Sequence, residues 1–330
     1  MADGTMTNDK SSKLSEYAVK LAKQELREDE QTRQFALIQM REWIKKNPRI
    51  IHCRTDDSFL LRFLRVKKFS LPIAQETLER YLLLRHVYGD LMFHNLDIKD
   101  TVMNELLHLG YLFAAPKRDK HGRRIIIARP GVFDPYKYTN AHMCHFHAIT
   151  YETLMEDEEN QVVGYVHFAD GDGFSFPHLT LFTPREAVRI VKNGERVIPM
   201  RHKEVHGINV PAGLKYVLDF GISLVSEKIR KRIKIHNNLQ ELHDHVDKSL
   251  LPKEYGGDMP MAEMIRLWKE ELYNRRETLL TNDAMAVKLE MYNEAAKEGR
   301  VSALKSGCGI GAQNDCADYV TGSFRQLAVD

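Results

Sequence analysis

The stretch "VHFADGDGFSF" carries the side chains best suited to breaking a bond. An Asp-x-Asp after an apolar strand can attack phosphorus through its first carboxylate and move a proton through its second, with Mg2+ neutralising the charge; Asp170 would be the nucleophile and Asp172 the acid and base. The supporting parts are missing. No paired acidic residues follow a later strand, and Asp and Gly are also what a strand end needs in order to turn. Histidine suggests a second chemistry. In "AHMCHFHAITYE", His142, His145 and His147 with Cys144 all have metal-binding side chains, yet on a helix 142 and 145 share a face while 147 points elsewhere. His243 and His245 in "LHDHVD" read as cap or surface residues. No G-x-x-x-x-G-K-[ST], G-x-G-x-x-G or G-x-S-x-G occurs, so the common phosphate, dinucleotide and hydrolase signatures are absent and no catalysis, metal or cofactor is expected.

Binding chemistry is better represented. "LVSEKIRKRIKIH" packs Lys228, Arg230, Lys231, Arg232 and Lys234 into seven positions, while Ile222, Val225, Ile229 and Ile233 recur every three or four residues. That spacing predicts a helix with an apolar stripe and a cationic face, either an ordinary solvated helix or one that meets a membrane or an acidic partner. Between Arg185 and Lys234 there are twelve Lys or Arg against five Asp or Glu, a local +7, whereas the whole chain balances 48 against 46. The cationic character is therefore local, and nothing argues for nucleic acid. Just upstream, "PAGLKYVLDFGISLVSEKI" sets Leu214, Val217, Leu218, Ile222, Val225 and Ile229 along one face. Gly213 and Gly221 are costly in a helix unless a bend or a close contact requires them. Residues 211–232 can thus be read in two ways: a movable amphipathic cover, or a docked helix whose glycines serve packing.

The elements around these residues fall into order. From Lys13 to about Tyr88 the apolar spacing is helical: Leu14, Tyr17, Leu21 and Ala22 form one stripe, Asp56 or Asp57 caps "SFLLRFLR", and Ser70 with Pro72 opens a further helix. "YLFAAP" and "RRIIIAR" flank the turn-rich "KRDKHG", and "VVGYVHFAD" and "EVHGINV" come next with helices between, which predicts an α/β fold with a mostly parallel sheet. The expected units are a helical domain at 13–90, an α/β domain at 100–260, a C-terminal helix at 261–290 and a loosely ordered tail at 291–330. Cys53, Cys144, Cys308 and Cys316 lack paired spacing, as in a reducing compartment. No signal-peptide core and no run of about 18 apolar residues occurs, so a monomeric, cytoplasmic chain with at most peripheral membrane contact is expected.

Taken together, "DDSFLLRFLRVKKFSLPIA", "GVFDP", "GYVHFADGDGFSF", "FTPREA", "IPMRHKEVHGINVP", "SEKIRKRI" and "LLPKEYGG" resemble, in this order, the CRAL-TRIO lipid-binding proteins, in the branch of tocopherol-transfer and retinaldehyde-binding proteins. The resemblance runs from about Lys13 to Leu280. It implies a helical bundle, then a domain whose sheet floors an apolar cavity closed by a helical gate that opens at membranes; residues from about 209 to 232 fall where the gate lies. It implies transfer of a small hydrophobic ligand, tocopherol-, retinoid- or isoprenoid-like, with a phosphoinositide-recognising adaptor as the alternative. Arg201, Lys203, Lys228 and Arg232 match the branch's phosphoinositide ligands. The cavity candidates on this basis are Cys144, His147, Tyr151, Phe168, Ile190, Met200, Val205, Ile208, Leu214 and Val217. His147 and Tyr151 replace two serines of the tocopherol pocket, which points to a smaller or differently polar ligand. The same resemblance turns Asp170 to Gly173 into a structural strand end.

Overall fold

The computed structural model describes residues 14–297. Helix α1 (Glu16–Leu21) starts at Ser15, whose hydroxyl accepts from the Ala18 amide, and runs into a single π turn, Ala22–Leu26, that stops where Arg27 takes a left-handed φ of 65°. Then come α2 (Glu30–Lys46), a short strand β1 (Ile50–His52), α3 (Asp57–Val66) and α4 (Leu71–Val87). Of the two candidate caps of α3 the structure uses Asp56, which accepts from the Phe59 amide at 3.0 Å. The core of this helical part is aromatic: Phe59, Phe63, Tyr81 and Phe93 meet edge to face with centroids 5.3 to 6.2 Å apart, the separation such rings prefer.

Helix α5 (Thr101–His108) leads into the hairpin β2 (Leu112–Arg118) and β3 (Arg124–Ala128). After it, α6 (Asn140–Met155) and α7 (Glu158–Val163) precede β4 (Tyr165–Asp170), and α8 (Phe176–Leu179) with α9 (Pro184–Val197) precede β5 (His202–Ile208). The chain continues through α10 (Lys215–Leu224), α11 (Glu227–Arg230), β6 (Ile233–Ile235), α12 (Leu239–His243), α13 (Met261–Thr281) and β7 (Ala286–Val287). Five strands form one sheet in the order β2-β3-β4-β5-β6, with β2 antiparallel and the rest parallel. The unbroken Ile125, Ile126 and Ile127 are all buried, as a strand covered on both faces requires.

Two expectations change. The stripe through Ile222, Val225, Ile229 and Ile233 is not one helix: α10 ends at Leu224, Val225 is extended with ψ 158°, and Ser226 caps a new single turn by accepting from the Ile229 amide. Ile233 then leaves for the sheet edge, pairing with Val205. Lys228 and Arg232 therefore do not share a helical face. Tertiary pairing has overridden local periodicity. Nor is the segment after α13 separate, because β7 pairs with β1, Ile50 with Val287 and His52 with Ala286, and returns the chain to the helical part. The tail from 298 onward, with Cys308 and Cys316, lies outside the described residues.

Candidate functional site

Successive strand residues point to opposite faces of a sheet, and in a parallel pair neighbours in register share a face. On β4 and β5 this separates His167 with Val205 from Phe168 with His206 and from Asp170 with Ile208. The second face is already filled. Phe168 packs edge-on to Tyr255 with centroids 5.0 Å apart, and the Tyr255 hydroxyl donates to Asp170 at 2.6 Å. Asp170 also accepts from the Asp172 amide at 3.0 Å and from Asn209 Nδ2 at 2.9 Å. Its carboxylate thus pins the ends of β4 and β5 together, a structural duty for the residue that resembled a nucleophile. Phe168 and Ile208 leave the set of cavity candidates, since both point into this packed layer. Met200 is likewise buried in the main core.

The first face is different. Cys144, His147 and Tyr151 lie at intervals of three and four on α6, and the Tyr151 ring stands 6.4 Å from that of His167. His147 Nε2 is 2.8 Å from the Tyr111 hydroxyl and its Nδ1 is 3.2 Å from the Tyr151 hydroxyl; His167 Nε2 is 2.8 Å from His202 Nδ1. His147, Tyr151, His167 and His202 each keep some accessible surface although protein surrounds them, as side chains at the wall of an internal space do. Burial pushes His147 and His202 down to about 4, and the Cys144 and Tyr151 protons up to about 11 and about 12. The wall is polar yet uncharged at neutral pH. His167 and His202 escaped sequence reasoning, although the parity of β4 identifies His167 once Asp170 is given to the other face. Leu214 lies in the turn before α10 and is partly buried, Val217 is 42% exposed on α10, and Ile190 is partly buried on α9.

The histidines that suggested a metal do not converge. The His142 ring accepts from the Thr139 amide as part of a capping box, and His243 Nε2 bonds the Tyr255 carbonyl at 2.8 Å. Among the described residues no group of three or more His, Cys, Asp or Glu could hold a metal ion.

Outside the interior lies a cationic cluster. Gly164 brings the turn before β4 against Arg201, where a β-carbon would meet the Arg201 carbonyl oxygen at 2.3 Å, and its φ of 84° suits glycine. Arg201 donates to the Val162 carbonyl and to Glu25 Oε2, the latter at 2.5 Å, and Lys203 Nζ reaches the same oxygen at 2.9 Å. Arg232 donates to the His202 carbonyl. Burial first, and then one another's charge, pushes Arg201, Lys203 and Lys228 down. Lys67, at the end of the "LLRFLRVKK" helix, joins the cluster and is pushed down by burial and then by Arg80 and Lys228; sequence reasoning missed it. Among the described residues no carboxylate lies within 4 Å of Lys67, Lys228 or Arg232.

The gate region packs on α9 and runs into the cationic cluster at Lys228. None of the residues of α10 is buried, although the helix is largely apolar, and Tyr216 and Phe220 are 88% and 50% exposed. A β-carbon on Gly213 or Gly221 would meet nothing within 4 Å, so neither glycine is there for packing. Glu195 of α9 accepts from the Ser226 amide at 3.0 Å and ties the end of the segment.

Comparison with known proteins agrees with this architecture. The CRAL/TRIO domain model matches residues 109–257. Clavesin-1 of Xenopus laevis is 31% identical over 252 residues, covering 76% of this chain and 76% of its own length. Alpha-tocopherol transfer protein-like of Homo sapiens is 32% identical over 245 residues, covering 74% of this chain and 71% of its own. The crystal structure of Sfh5 superposes with a TM-score of 0.52 over 77% of this chain and 99% of that one at 14% identity, a likeness of fold. The chain belongs to the CRAL/TRIO family.

Proposed function

We propose that this protein encloses one small hydrophobic molecule between α6, the His167 face of the sheet, α9 and the gate, and exchanges it at membranes bearing phosphoinositides. One observation carries the reading: α10, an apolar helix with no buried residue, packs on α9 and leads directly into the segment that carries Lys228 and Arg232 of the cationic cluster. A helix of that kind gains by covering a lipid or by entering a bilayer, at about 25 cal/mol for each Å2 of apolar surface removed from water. The relatives named for tocopherol transfer agree with a transfer role. Among the described residues no helix is long and apolar enough to cross a membrane.

The ligand suited to the wall is mainly apolar with a neutral oxygen at one end. Native mass spectrometry and extraction of the purified protein identify what is held, and a donor-to-acceptor vesicle assay shows whether it moves. Retention of a neutral lipid with faster movement onto phosphoinositide vesicles is the expected result. Phosphoinositide binding without movement of the held molecule would instead make the protein an adaptor, and an empty protein that neither takes up nor moves lipid would refute the reading.

A further inference from the structure

The cationic cluster already holds an anion, and that anion is part of the chain. Glu25 comes from the N-terminal helical part, 176 positions from Arg201 in sequence, yet one of its oxygens receives both Arg201 and Lys203. Partial burial works against the charge on Glu25, but Lys203 and Arg201 outweigh it and hold the carboxyl below its ordinary range. The geometry points to an internal competitor: Glu25 occupies the seat of a phosphate in the unbound protein and must leave when a phosphoinositide headgroup arrives. This inference rests on the reading of the cluster as a phosphoinositide site.

The segment that carries Glu25 is built to detach. Its packing is a small satellite of Ala18, Ala22 and Leu26 against Val162 and Val163, separate from both large cores, so little apolar contact opposes its release. A cleft of about 270 Å3 lies beside the segment, lined by Tyr17, Leu21 and Glu25 together with His121, Arg123 and Lys203. At its start, Ser15 is held by two hydrogen bonds to Glu159 at an exposed position. At its end, Arg27 breaks the helix in a left-handed conformation, and the next residue, Glu28, is fixed by a bidentate buried pair with Arg65. Release can therefore stop at residue 27 without disturbing α2. A phosphate brings more charge and more acceptor oxygens than one carboxylate, and it can engage Lys67, Lys228 and Arg232 as well. While Glu25 is seated, apparent affinity falls in proportion to the fraction of molecules that are open.

The test uses the full chain and phosphatidylcholine vesicles with a few mole per cent phosphatidylinositol bisphosphate. Glu25→Gln, which keeps shape and loses charge, is expected to bind about fivefold tighter, the size of a partly screened ion pair. Unchanged or weaker binding by Glu25→Gln, with Arg201→Ala still weakening it, overturns the inference and leaves the site reading intact. Should Arg201→Ala and Lys203→Ala change nothing in either background, the site reading itself fails. Hydrogen exchange of the wild-type protein gives a second measurement that needs no variant to fold. Amides of residues 16–26 are expected to exchange faster on adding the vesicles; a like effect of soluble inositol trisphosphate assigns the trigger to the phosphate group, and an effect of vesicles alone assigns it to the membrane-bound headgroup. No acceleration with either overturns the competitor.

Discussion

A neutral imidazole between two phenols, as His147 is between Tyr111 and Tyr151, donates to one and accepts from the other, so the accepting phenol still has a proton to give. Tyr111 is buried and Tyr151 is partly accessible, so the free donor is most useful at Tyr151, facing a ligand oxygen. His147→Phe and Tyr151→Phe are predicted to weaken retention of such a ligand by about 1 to 3 kcal/mol, the cost of an unpaired buried polar group, and extraction with mass spectrometry from folded variants reads it. The same burial makes stability depend on pH. With folded values of about 4 for His147 and His202 against an ordinary 6.5, the unfolded chain takes up protons first as pH falls, so stability is full above 6.5 and is lost down to about 4. At about 1.4 kcal/mol per pH unit, the loss is about 3 kcal/mol for each histidine, and His147→Phe should remove its share of that slope. The cationic residues act through their charge by contrast. Alanine at Arg201, Lys203, Lys228 or Arg232 is predicted to cost about 1 kcal/mol of binding to phosphoinositide vesicles, less at high salt; a quadruple variant that binds like wild type refutes it.

Helix α10 and its neighbours show what a pattern can and cannot specify. The apolar content and the two glycines of the gate were legible because they depend on residue type alone. The break at Val225 and Ser226 was not, since Ile233 continues a helical period that its pairing with Val205 cancels. In the same way, the sequence offers Phe168 as a cavity residue and passes over His167, whereas the contact with Tyr255 gives Phe168 to the packed face. Fold order was readable from whole segments; the site needed the parity of single residues, which a slip of one position inverts. The open space around Gly221 gives this scale its own prediction. Alanine there meets no clash and favours helix by about 0.5 to 1 kcal/mol, so Gly221→Ala should leave the melting temperature equal or higher. If the glycine serves movement of the gate, lipid transfer should nevertheless slow several-fold. Equal transfer rates in wild type and variant would mean that the cover moves as a rigid piece about its ends.

Across the whole molecule, the helical part and the α/β part are joined by buried charges as well as by apolar packing, such as Val197 of α9 within the helical core. Arg62 of α3, fully buried, donates to Glu152 at 3.0 Å and to Glu156 at 2.7 Å on and just after α6; Arg54 joins Glu156 at 2.7 Å, and the Tyr81 hydroxyl donates to Glu152 at 2.6 Å. With β7 paired to β1, the chain crosses between the two parts more than once, so they should unfold together. Removing one partner of such a network strands the others, which is why Arg62→Met is predicted to cost about 3 to 5 kcal/mol while keeping a single transition in denaturant. Acid provides the control. Burial works against the charge on Glu156, but Arg62 and Arg54 outweigh it and hold its carboxyl down to about 2, from an ordinary 4.5. This group's stabilisation is present above 4.5 and is lost as pH falls toward 2, and without Arg62 less of it exists to lose. The gap in stability between wild type and Arg62→Met should therefore narrow below pH 4.5, measured by denaturant midpoints at a series of pH values. A gap that stays constant there would show that Arg62 acts through packing, and two separate transitions would show that the halves are not coupled through this clasp.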